Sequence, residues 1–498
     1  MRARILFFLA SAAALDLGLL PGAPAQSQPG EVVSHAKISA TSGGFAGPLD
    51  SVDAFGSATA ALGDLDGDGI GDVAVGALGD DDGGPDRGAV WILFLDADAS
   101  VKAQAKISAT SGGFTGALDD FDDFGNSADS LGDLDADGNG DLAVGAIRDD
   151  DGGADRGAVW VLFLNADGTV KSQAKISSTS GGFSGAIETG DEFGFALARL
   201  DDLDEDGLIE LAVGARQDDD GAADAGSVWI LSLQADGSVS SQQKLSALEG
   251  GFGGAIDAED RLGAALAALG DLDGDGVPDL AAGANQDEDG GNLRGAVWIL
   301  FLQPDGTVKS EQKISDLEGG FTGALDDIDD FGRAVASLGD HDGDGVADLA
   351  VGALWDDDGG IDKGAVWILY LNARRIVDLR NGLAGTGGVP TLGAAGTLVA
   401  GDPFQLSLVG MLPSTNAHLF ISPFAVNAPF KGGVLVPGVG APGLLVSLPT
   451  GPAGAVVLNA AWPGGLPSDF SLYFQAWIQD PAGPAGFAAS NGLQAITP

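Results

Sequence analysis

The feature that most constrains this chain is a constant internal period of 69 residues. Five copies of one acidic segment begin at Asp64, Asp133, Asp202, Asp271 and Asp340. An apolar segment that contains a tryptophan, Gly88–Leu93 in its first copy, recurs with the same spacing. A fixed period of this size predicts a propeller, a solenoid or an array of like units rather than one irregular domain.

Each unit is predicted to form four short strands separated by turns rich in Gly and Asp. In the first unit these strands are Gly56–Leu62, Asp72–Leu78, Ala89–Leu95 and Val101–Ser108. Both faces of the third strand are apolar, so its sheet needs cover on both sides. Like sheets stacked around an axis provide that cover, which predicts an all-β fold with a β-propeller of four-stranded blades. The repeated tryptophans are expected to pack between blades.

The two ends of the repeat region complement each other. The fifth unit stops after its third strand, whereas Val33–Ser39 has the sequence of a fourth strand and precedes the first unit. Pairing the two would join the first and last strands in one sheet and remove an open edge. We therefore predict five blades, with this closure, between residues 31 and 374.

The acidic segment has the spacing of a calcium loop. Side chains at positions 1, 3, 5 and 9 and the backbone carbonyl at position 7 can supply five or more hard oxygen ligands. The predicted ligands are Asp64, Asp66, Asp68, Ile70 and Asp72; Asp133, Asp135, Asp137, Asn139 and Asp141; Asp202, Asp204, Asp206, Leu208 and Glu210; Asp271, Asp273, Asp275, Val277 and Asp279; and Asp340, Asp342, Asp344, Val346 and Asp348. This predicts about five Ca²⁺ ions, and the longer Glu210, which keeps the charge, predicts a different geometry and weaker binding at the third site. Without a cation these carboxylates repel one another, so a strained or loose loop is expected.

Two other interpretations of this segment are weaker. An EF-hand needs a bidentate Glu at position 12, but that position is Val75 in the first copy and apolar in every other. The flanking helices are also missing, because the loop runs directly into a short apolar β segment. An acidic surface turn would explain a single copy, but it does not explain five in the same position.

The charge and the cysteine content restrict the kinds of partner and the cellular compartment that are expected for this chain. The chain has 73 acidic and 23 basic residues, a formal charge of −50 and no cysteine. Such a balance disfavours nucleic acids and anionic membrane surfaces as partners. The 45% hydrophobic content supplies a core. Without disulfides, calcium is the expected staple of an exported protein.

Residues 1–25 have the pattern of a secretory signal peptide. Arg2 and Arg4 precede the apolar stretch Ile5–Leu15, and Ala23-Pro24-Ala25 is a small-residue cleavage site. The alternative is a membrane anchor, but the apolar run is shorter than the roughly 20 residues that span a bilayer. We predict a secreted or cell-surface protein without a membrane span in the mature chain.

Several of these motifs together resemble a known family. Phe55-Gly56, the acidic loop and Val75-Gly76-Ala77 are similar to the FG-GAP repeat of the integrin α-chain head, which is a calcium-binding β-propeller. The chain departs from that pattern at Leu262-Gly263, which replaces Phe-Gly, and in lacking a proline after Ala77. Integrin heads also have seven blades and carry the calcium loop in only some of them. The resemblance implies a role in adhesion.

The end of the sheets opposite the calcium loops is the expected partner surface. In integrin-like heads the face away from the calcium loops meets the ligand, so the resemblance makes this acidic rim the candidate. The candidate residues are Asp80, Asp81, Asp82, Asp149, Asp150, Asp151, Asp119, Asp120, Asp326 and Asp327. They predict an adhesion or recognition module for an extracellular protein or polysaccharide, cationic or metal-bridged. A solvated acidic surface that keeps a repetitive protein soluble is the alternative.

An enzyme is the competing class of function. Propellers house hydrolases, and a pair of carboxylates acting on a glycan, or a site for a phosphoester, is conceivable among so many Asp residues. Catalysis usually requires an irregular cluster of distinct groups, however, and this chain has no cysteine and three histidines. We therefore predict no catalytic residues.

The composition changes after the repeats. From Asn381 onward charged residues are rare, and short apolar runs alternate with Gly-Pro turns. This predicts a linker over 375–390 and a small β-sandwich-like domain over 391–498. That domain either anchors or sorts the protein or caps the propeller, and the sequence does not decide between these roles.

Overall fold

The structure is a computed structural model. It describes residues 35–342, 346–371, 376–386, 388–395, 403–438, 443–451, 453–462, 466 and 470–496. The predicted signal peptide and Asp344 lie outside the described residues. The chain divides into a unit over Pro29–Leu371 and a second unit that contains Asn372–Pro498. Within the described ranges no helix is long and apolar enough to cross a membrane.

The repeats form antiparallel sheets whose strands follow one another in chain order. The first four sheets have four strands each: β1 (Phe55–Gly63), β2 (Asp72–Ala77), β3 (Ala89–Leu95) and β4 (Val101–Ser108); β5 (Phe124–Gly132), β6 (Asp141–Ala146), β7 (Ala158–Leu164) and β8 (Val170–Ile176); β9 (Phe193–Asp201), β10 (Ile209–Ala215), β11 (Ser227–Leu233) and β12 (Val239–Leu245); and β13 (Leu262–Gly270), β14 (Asp279–Ala284), β15 (Ala296–Leu302) and β16 (Val308–Ile314). A fifth sheet contains β17 (Phe331–Gly339), β18 (Asp348–Ala353) and β19 (Ala365–Leu369). The predicted all-β class and the four-stranded sheets are confirmed.

The core of the repeat unit lies between neighbouring sheets. Strands β7 and β11 are buried along their whole length, as expected for strands that are apolar on both faces. One apolar cluster joins Ile92 of the first sheet to Leu142 and Leu162 of the second, and similar clusters join the later sheets. The first strands of successive sheets also pack against one another.

The Phe-Gly pair is the point where two sheets come closest. Gly88 and Phe124, from neighbouring sheets, form a parallel bridge. Gly125 has a φ of +94°, and a Cβ atom added there would lie 2.4 Å from the carbonyl oxygen of Ala89. Only glycine fits such a conformation and such an approach. Nearby, the hydroxyl of Ser57 donates a hydrogen bond to the Gly125 carbonyl at 2.9 Å.

The fifth sheet has an open edge. Strand β19 pairs with β18, and among the described residues no strand covers its other side. Val366 and Ile368 of β19 are 69% and 43% exposed. Residues 35–39, the described part of the predicted closing strand, are not assigned as a strand, and Ser39 forms a bridge to Ser42 instead. The ring closure is therefore not formed here, and it stays a prediction, as does the count of five blades.

The second unit is also built from strands. They are β20 (Ile376–Arg380), β21 (Thr391–Ala395), β22 (Pro403–Val409), β23 (Asn416–Ser422), β24 (Ala425–Phe430), β25 (Gly433–Pro437), β26 (Leu444–Pro449), β27 (Val456–Ala461), β28 (Ser471–Gln479), β29 (Phe487–Ala489) and β30 (Gly492–Ile496), with a 3₁₀ turn at Pro484–Gly486. The sheet β20-β30-β28-β23-β26 and the sheet β21-β22-β27 share one apolar core, in which Phe404 contacts Trp462 and Phe474. Strand β20 lies inside the range predicted as a linker, and the predicted domain boundaries stay predictions.

Candidate metal centres

The nine-residue segments beginning at Asp64, Asp133, Asp202, Asp271 and Asp340, here called the cage loops, connect the first two strands of each sheet. In the first loop, the carboxylate of Asp64 accepts hydrogen bonds from the backbone N–H groups of Gly67, Asp68 and Gly69 at 2.8, 2.9 and 2.8 Å. Such Asx-type bonds form readily within a short acidic turn. The first aspartate therefore folds the loop around its own side chain.

The carboxylate at position 9 ties the loop to the sheet. Asp72 begins β2, is 1% exposed, and accepts N–H groups from Leu65 in the loop and Leu95 at the end of β3, both at 3.0 Å. Asp279 occupies the same place in the fourth loop. Burial raises the pKa of Asp279 to about 7, although two backbone hydrogen bonds act in the opposite direction. A buried carboxylate of this kind is stabilised in its charged form by a nearby cation.

The structure brings three carboxylates of each loop together, with one oxygen of each lying within 4.8 Å of the others. These clusters are Asp64, Asp66 and Asp72; Asp133, Asp135 and Asp141; Asp202, Asp204 and Asp206; Asp271, Asp273 and Asp279; and Asp340, Asp342 and Asp348. In the first, second and fourth loops, position 5 is not part of the cluster. The residues predicted to supply carbonyl oxygens, Ile70, Asn139, Leu208 and Val277, donate their N–H groups to the position 5 carboxylate at 2.8 to 3.0 Å. Val346, the fifth such residue, is buried.

The third loop has a different arrangement. Glu210 accepts hydrogen bonds from the backbone N–H of Leu203 at 2.6 Å and from the hydroxyl group of Ser232 at 2.5 Å. The acidic cluster of this loop contains Asp206 in place of Glu210. In the other repeats the position of Ser232 holds Phe or Tyr. The third repeat thus has Glu in place of Asp and Ser in place of an aromatic residue, and these two residues, Glu210 and Ser232, contact each other. The sequence analysis did not identify this contact.

Lysines of the fourth strands contact three of the cage loops, a feature that the sequence analysis missed. Lys171 bridges Asp135 and Asp137, with its Nζ 2.6 and 2.5 Å from their carboxylates. Lys102 bridges Asp66 and Asp68 in the first loop, and Lys309 bridges Asp273 and Asp275 in the fourth. The third repeat has Ser240 at this position. The signal was available, because these lysines share the 69-residue period.

The donor set of the loops fits a hard divalent cation. The Oδ1 atoms of Asp135 and Asp273 are buried without a hydrogen-bond partner, and the side chain of Asp273 is 4% exposed. Buried carboxylate oxygens are costly unless a cation or donor meets them. Calcium takes six to eight oxygen ligands. The lysines contact the Oδ2 atoms of Asp135 and Asp273 and leave the Oδ1 atoms without a partner. Backbone N–H groups, and lysines in three of the loops, offset part of the repulsion among these carboxylates.

The acidic residues at the opposite end of the sheets are mostly engaged within the protein. Four lysines of the fourth strands each bridge two aspartates at 2.6 to 2.9 Å. These groups, here called lysine clamps, are Lys106 with Asp80 and Asp82, Lys175 with Asp149 and Asp151, Lys244 with Asp218 and Asp220, and Lys313 with Asp287 and Asp289. Each lysine Nζ also lies 5.3 to 5.5 Å from the ring centroid of the repeated tryptophan. The four tryptophans, Trp91, Trp160, Trp229 and Trp298, are 3 to 5% exposed and belong to the apolar clusters of the sheets, so they are packing residues.

The other predicted partner residues divide into two groups. Asp81 and Asp150 accept backbone N–H groups in their own turns, at 2.9 and 3.0 Å, and Asp120 and Asp327 pair with arginines at 2.9 and 3.1 Å. Asp119 and Asp326 are exposed. The rim thus contains fewer free carboxylates than its sequence indicates, although each lysine clamp still has two carboxylates for one ammonium group.

The repeats match a known family model. The model described as FG-GAP repeat matches residues 55–93 and 262–300. The second match includes Leu262-Gly263, the pair that departs from the Phe-Gly pattern.

Curated relatives point to the same similarity. The chain is 34% identical over 231 residues to integrin alpha-PS2 of Drosophila melanogaster, covering 45% of this chain and 15% of the relative. It is 35% identical over 168 residues to integrin alpha-5 of Xenopus laevis, covering 32% and 15%. It is also 33% identical over 177 residues to phosphatidylinositol-glycan-specific phospholipase D of Rattus norvegicus, covering 34% and 20%. The matches thus span a fifth or less of the length of these relatives.

Proposed function

We propose, on the premise that this chain contains FG-GAP repeats and is similar to integrin alpha chains, that it is an exported calcium-binding β-propeller that recognises an extracellular partner. The observation that carries the proposal is the set of five acidic clusters in the loop between the first and second strands of five like sheets. Calcium has a structural role here, since it would tie the loop to the sheet through Asp72 and its counterparts.

The cage-loop residues named above are the proposed ligands, with the backbone oxygens of Ile70 and its counterparts included. When bound, the cation supplies positive charge to Asp279, whose hydrogen-bond partners are backbone N–H groups, and to the unpartnered Oδ1 of Asp273, whose Oδ2 already contacts Lys309. The third site is proposed to differ, because Glu210 is held by Leu203 and Ser232 and Asp206 joins the cluster. The proposed localisation is secreted or cell-surface, which follows from the sequence of residues 1–25.

The proposal includes a ring of five blades closed by the strand 33–39. Lys37 lies 69 residues before Lys106, at the clamp position of the fourth strand. The fifth sheet has the matching acidic pair, Asp356 and Asp358, and among the described residues neither carboxylate has an ion pair with a lysine or arginine. Asp356 is 5% exposed. The chain therefore carries one spare fourth strand with its lysine and one sheet that lacks both.

The proposed activity is adhesion or recognition of an extracellular protein or polysaccharide. The similarity to integrin alpha chains supports this proposal. Those relatives are much longer than the matched segment, so their full activity is not attributed to this chain. The alternative, an extracellular hydrolase, is favoured by the similarity to a protein named as a phospholipase D. That alternative predicts that the purified chain has phosphodiesterase activity. It also predicts that substitution of one group of carboxylates abolishes this activity.

Calcium removal tests the proposal directly. At an ion concentration about 100 times the dissociation constant, each occupied site adds roughly 2.7 kcal/mol to the free energy of unfolding if the unfolded chain does not bind. We expect the melting temperature of the full chain to fall markedly when calcium is replaced by a chelator. Calorimetric titration of the metal-free protein with calcium gives the stoichiometry, for which we expect about five ions.

A matched pair of variants in the fourth repeat serves as control. Asp273→Asn removes a charge from the acidic cluster and should lower the number of bound ions by one. Asp305→Asn changes a carboxylate in the turn after β15, where it accepts hydrogen bonds from Thr307, and should leave the stoichiometry unchanged. A melting temperature that is the same in calcium and in chelator would refute the structural role of calcium.

A further inference from the structure

The inner positions at the end of the sheets opposite the cage loops depart from the repeat. Residues directly before the first strands share a left-handed backbone, with φ between 54° and 61°, but their side chains differ. They are Ala54, Asp123, Glu192, Arg261 and Asp330. The third residues of the first strands vary in the same way, and they are Ser57, Asn126, Phe195, Ala264 and Arg333. A repeated backbone with varied side chains is what a specific site requires.

Three arginines from three different sheets meet at these positions. Arg216 follows β10, Arg261 precedes β13, and Arg333 lies near the start of β17. The Cζ atom of Arg216 lies 3.7 Å from the ring centroid of Phe195, and that of Arg333 lies 5.3 Å from the same centroid. Burial lowers the pKa of Arg216, and the charges of Arg333 and Arg261 lower it further. Two guanidinium groups therefore share one aromatic ring, and that of Arg261 is near enough to act electrostatically on Arg216 and on Asp330.

Arg216, Arg261 and Arg333, here called the arginine cluster, have two carboxylate partners for their three positive charges. Glu192 pairs with Arg216 at 2.6 Å, and Asp330 lies 3.9 Å from Arg333. Asp330 also accepts a hydrogen bond from the Nδ2 of Asn285 at 2.5 Å. Among the described residues the guanidinium of Arg261 has no ion pair, and its Nε is buried without a hydrogen-bond partner. Three positive charges thus face two negative ones, in a chain whose formal charge is −50.

A purely structural role does not explain this arrangement. Most arginines elsewhere in the repeats are matched by a carboxylate, as Arg294 is by Asp316 and Asp327, although Arg156 has no ion pair among the described residues and its Nε is also buried without a partner. Like charges placed together repel, and an unpaired buried donor costs free energy. With only 23 basic residues in the chain, three of them at one inner site call for a negatively charged partner.

We propose that Arg216, Arg261 and Arg333, with Phe195 beneath two of them, bind an oxyanion group of the partner, that is, a carboxylate, sulfate or phosphate. A guanidinium group presents five N–H donors in a planar fork that matches such oxygens bidentately. Phe195 holds the guanidinium planes of Arg216 and Arg333 in place through cation–π contact. The inference rests on the proposed recognition function but does not depend on calcium, and it points to an anionic rather than a cationic partner.

The test is isothermal titration calorimetry of the full chain with inorganic phosphate, sulfate and a trimer of galacturonic acid as three separate probes. We expect saturable binding of at least one probe, and the strongest of the three identifies the oxyanion. Arg261→Gln should weaken that binding at least tenfold, because its donors lack partners in the protein. Arg294→Gln removes the same charge at an outer position and should change the affinity less than twofold.

Two outcomes would overturn the inference: no saturable binding of any probe, or equal losses in Arg261→Gln and Arg294→Gln. Arg333→Gln, at a more exposed site, provides a second variant if Arg261→Gln lowers the melting temperature. Each titration is repeated in calcium and in chelator with the melting temperature recorded. A melting temperature that is the same in calcium and in chelator refutes the calcium proposal alone. A folded protein that binds none of the probes refutes the oxyanion site alone.

Discussion

The two ends of each repeated sheet carry similar acidic groups, but they neutralise them differently. In the lysine clamps, the lysine side chains are 8 to 17% exposed and each lies between two aspartates. At the cage loops, the lysines are 22 to 38% exposed, and the third repeat has none. One end thus contains its own cation permanently, whereas the other end leaves room for a cation from solution.

Strand β8 allows the largest test of this comparison, because it carries a lysine for each end. Lys175→Met leaves Asp149, which is 2% exposed, without its counter-charge. Breaking a buried ion pair in this way typically costs about 3–5 kcal/mol. Lys171→Met, four residues earlier, removes an exposed lysine from the cage loop and should cost much less, since solvent screens such pairs.

Urea denaturation of both variants, in calcium and in chelator, measures the difference. The loss in Lys175→Met should be the same in the two conditions, because calcium does not bind at the clamp. The loss in Lys171→Met should appear mainly in chelator, where the lysine is the only nearby cation. Equal losses in both variants would mean that the two ends do not differ as described.

The fifth sheet sharpens the comparison, because its clamp is incomplete. If residues 33–39 close the ring, Lys37 pairs with Asp356 and Asp358 as Lys106 pairs with Asp80 and Asp82. Lys37→Met should then lower the free energy of unfolding by roughly 1–3 kcal/mol, less than at the fully covered clamps because exposed pairs contribute less. Lys313→Met, in the complete clamp of the fourth sheet, is the matched reference. An unchanged stability of Lys37→Met would show that the proposed closure does not form.

Features that are local in sequence were predictable, and features that join distant segments were not. A cage loop spans nine residues, and the spacing of its aspartates predicted the meeting of positions 1, 3 and 9 in four loops, but not that position 5 lies outside the cluster in the first, second and fourth loops. The contact between Lys102 and Asp68 joins residues 34 positions apart, across two strands. Period alone reveals that both residues recur, but it does not show that they face the same end of the sheet.

The acidic rim illustrates the limit of counting charges. The sequence shows Asp80 and Asp82 without showing that Lys106, on the outermost strand of the sheet, lies between them. The arginine cluster was missed for a related reason. Arg216, Arg261 and Arg333 occupy three different positions of three different repeats, so no alignment of the repeats places them together, whereas the packing of successive first strands does.

The smallest expected effect distinguishes the cage loops from one another. A lysine beside the acidic cluster opposes cation binding by Coulomb repulsion, which is weakened by solvent at an exposed position. Ser240→Lys introduces into the third repeat the lysine that the first, second and fourth already have, and should weaken calcium binding at that site about three- to tenfold. Lys102→Ser is the reverse exchange and should strengthen calcium binding at the first site by a similar factor.

Calorimetric titration of both variants at low ionic strength measures the two changes in calcium affinity. Because salt screens the repulsion, both changes should be smaller in 1 M salt. Shifts of the same sign in the two variants would show that these lysines shape the loops rather than compete with the ion.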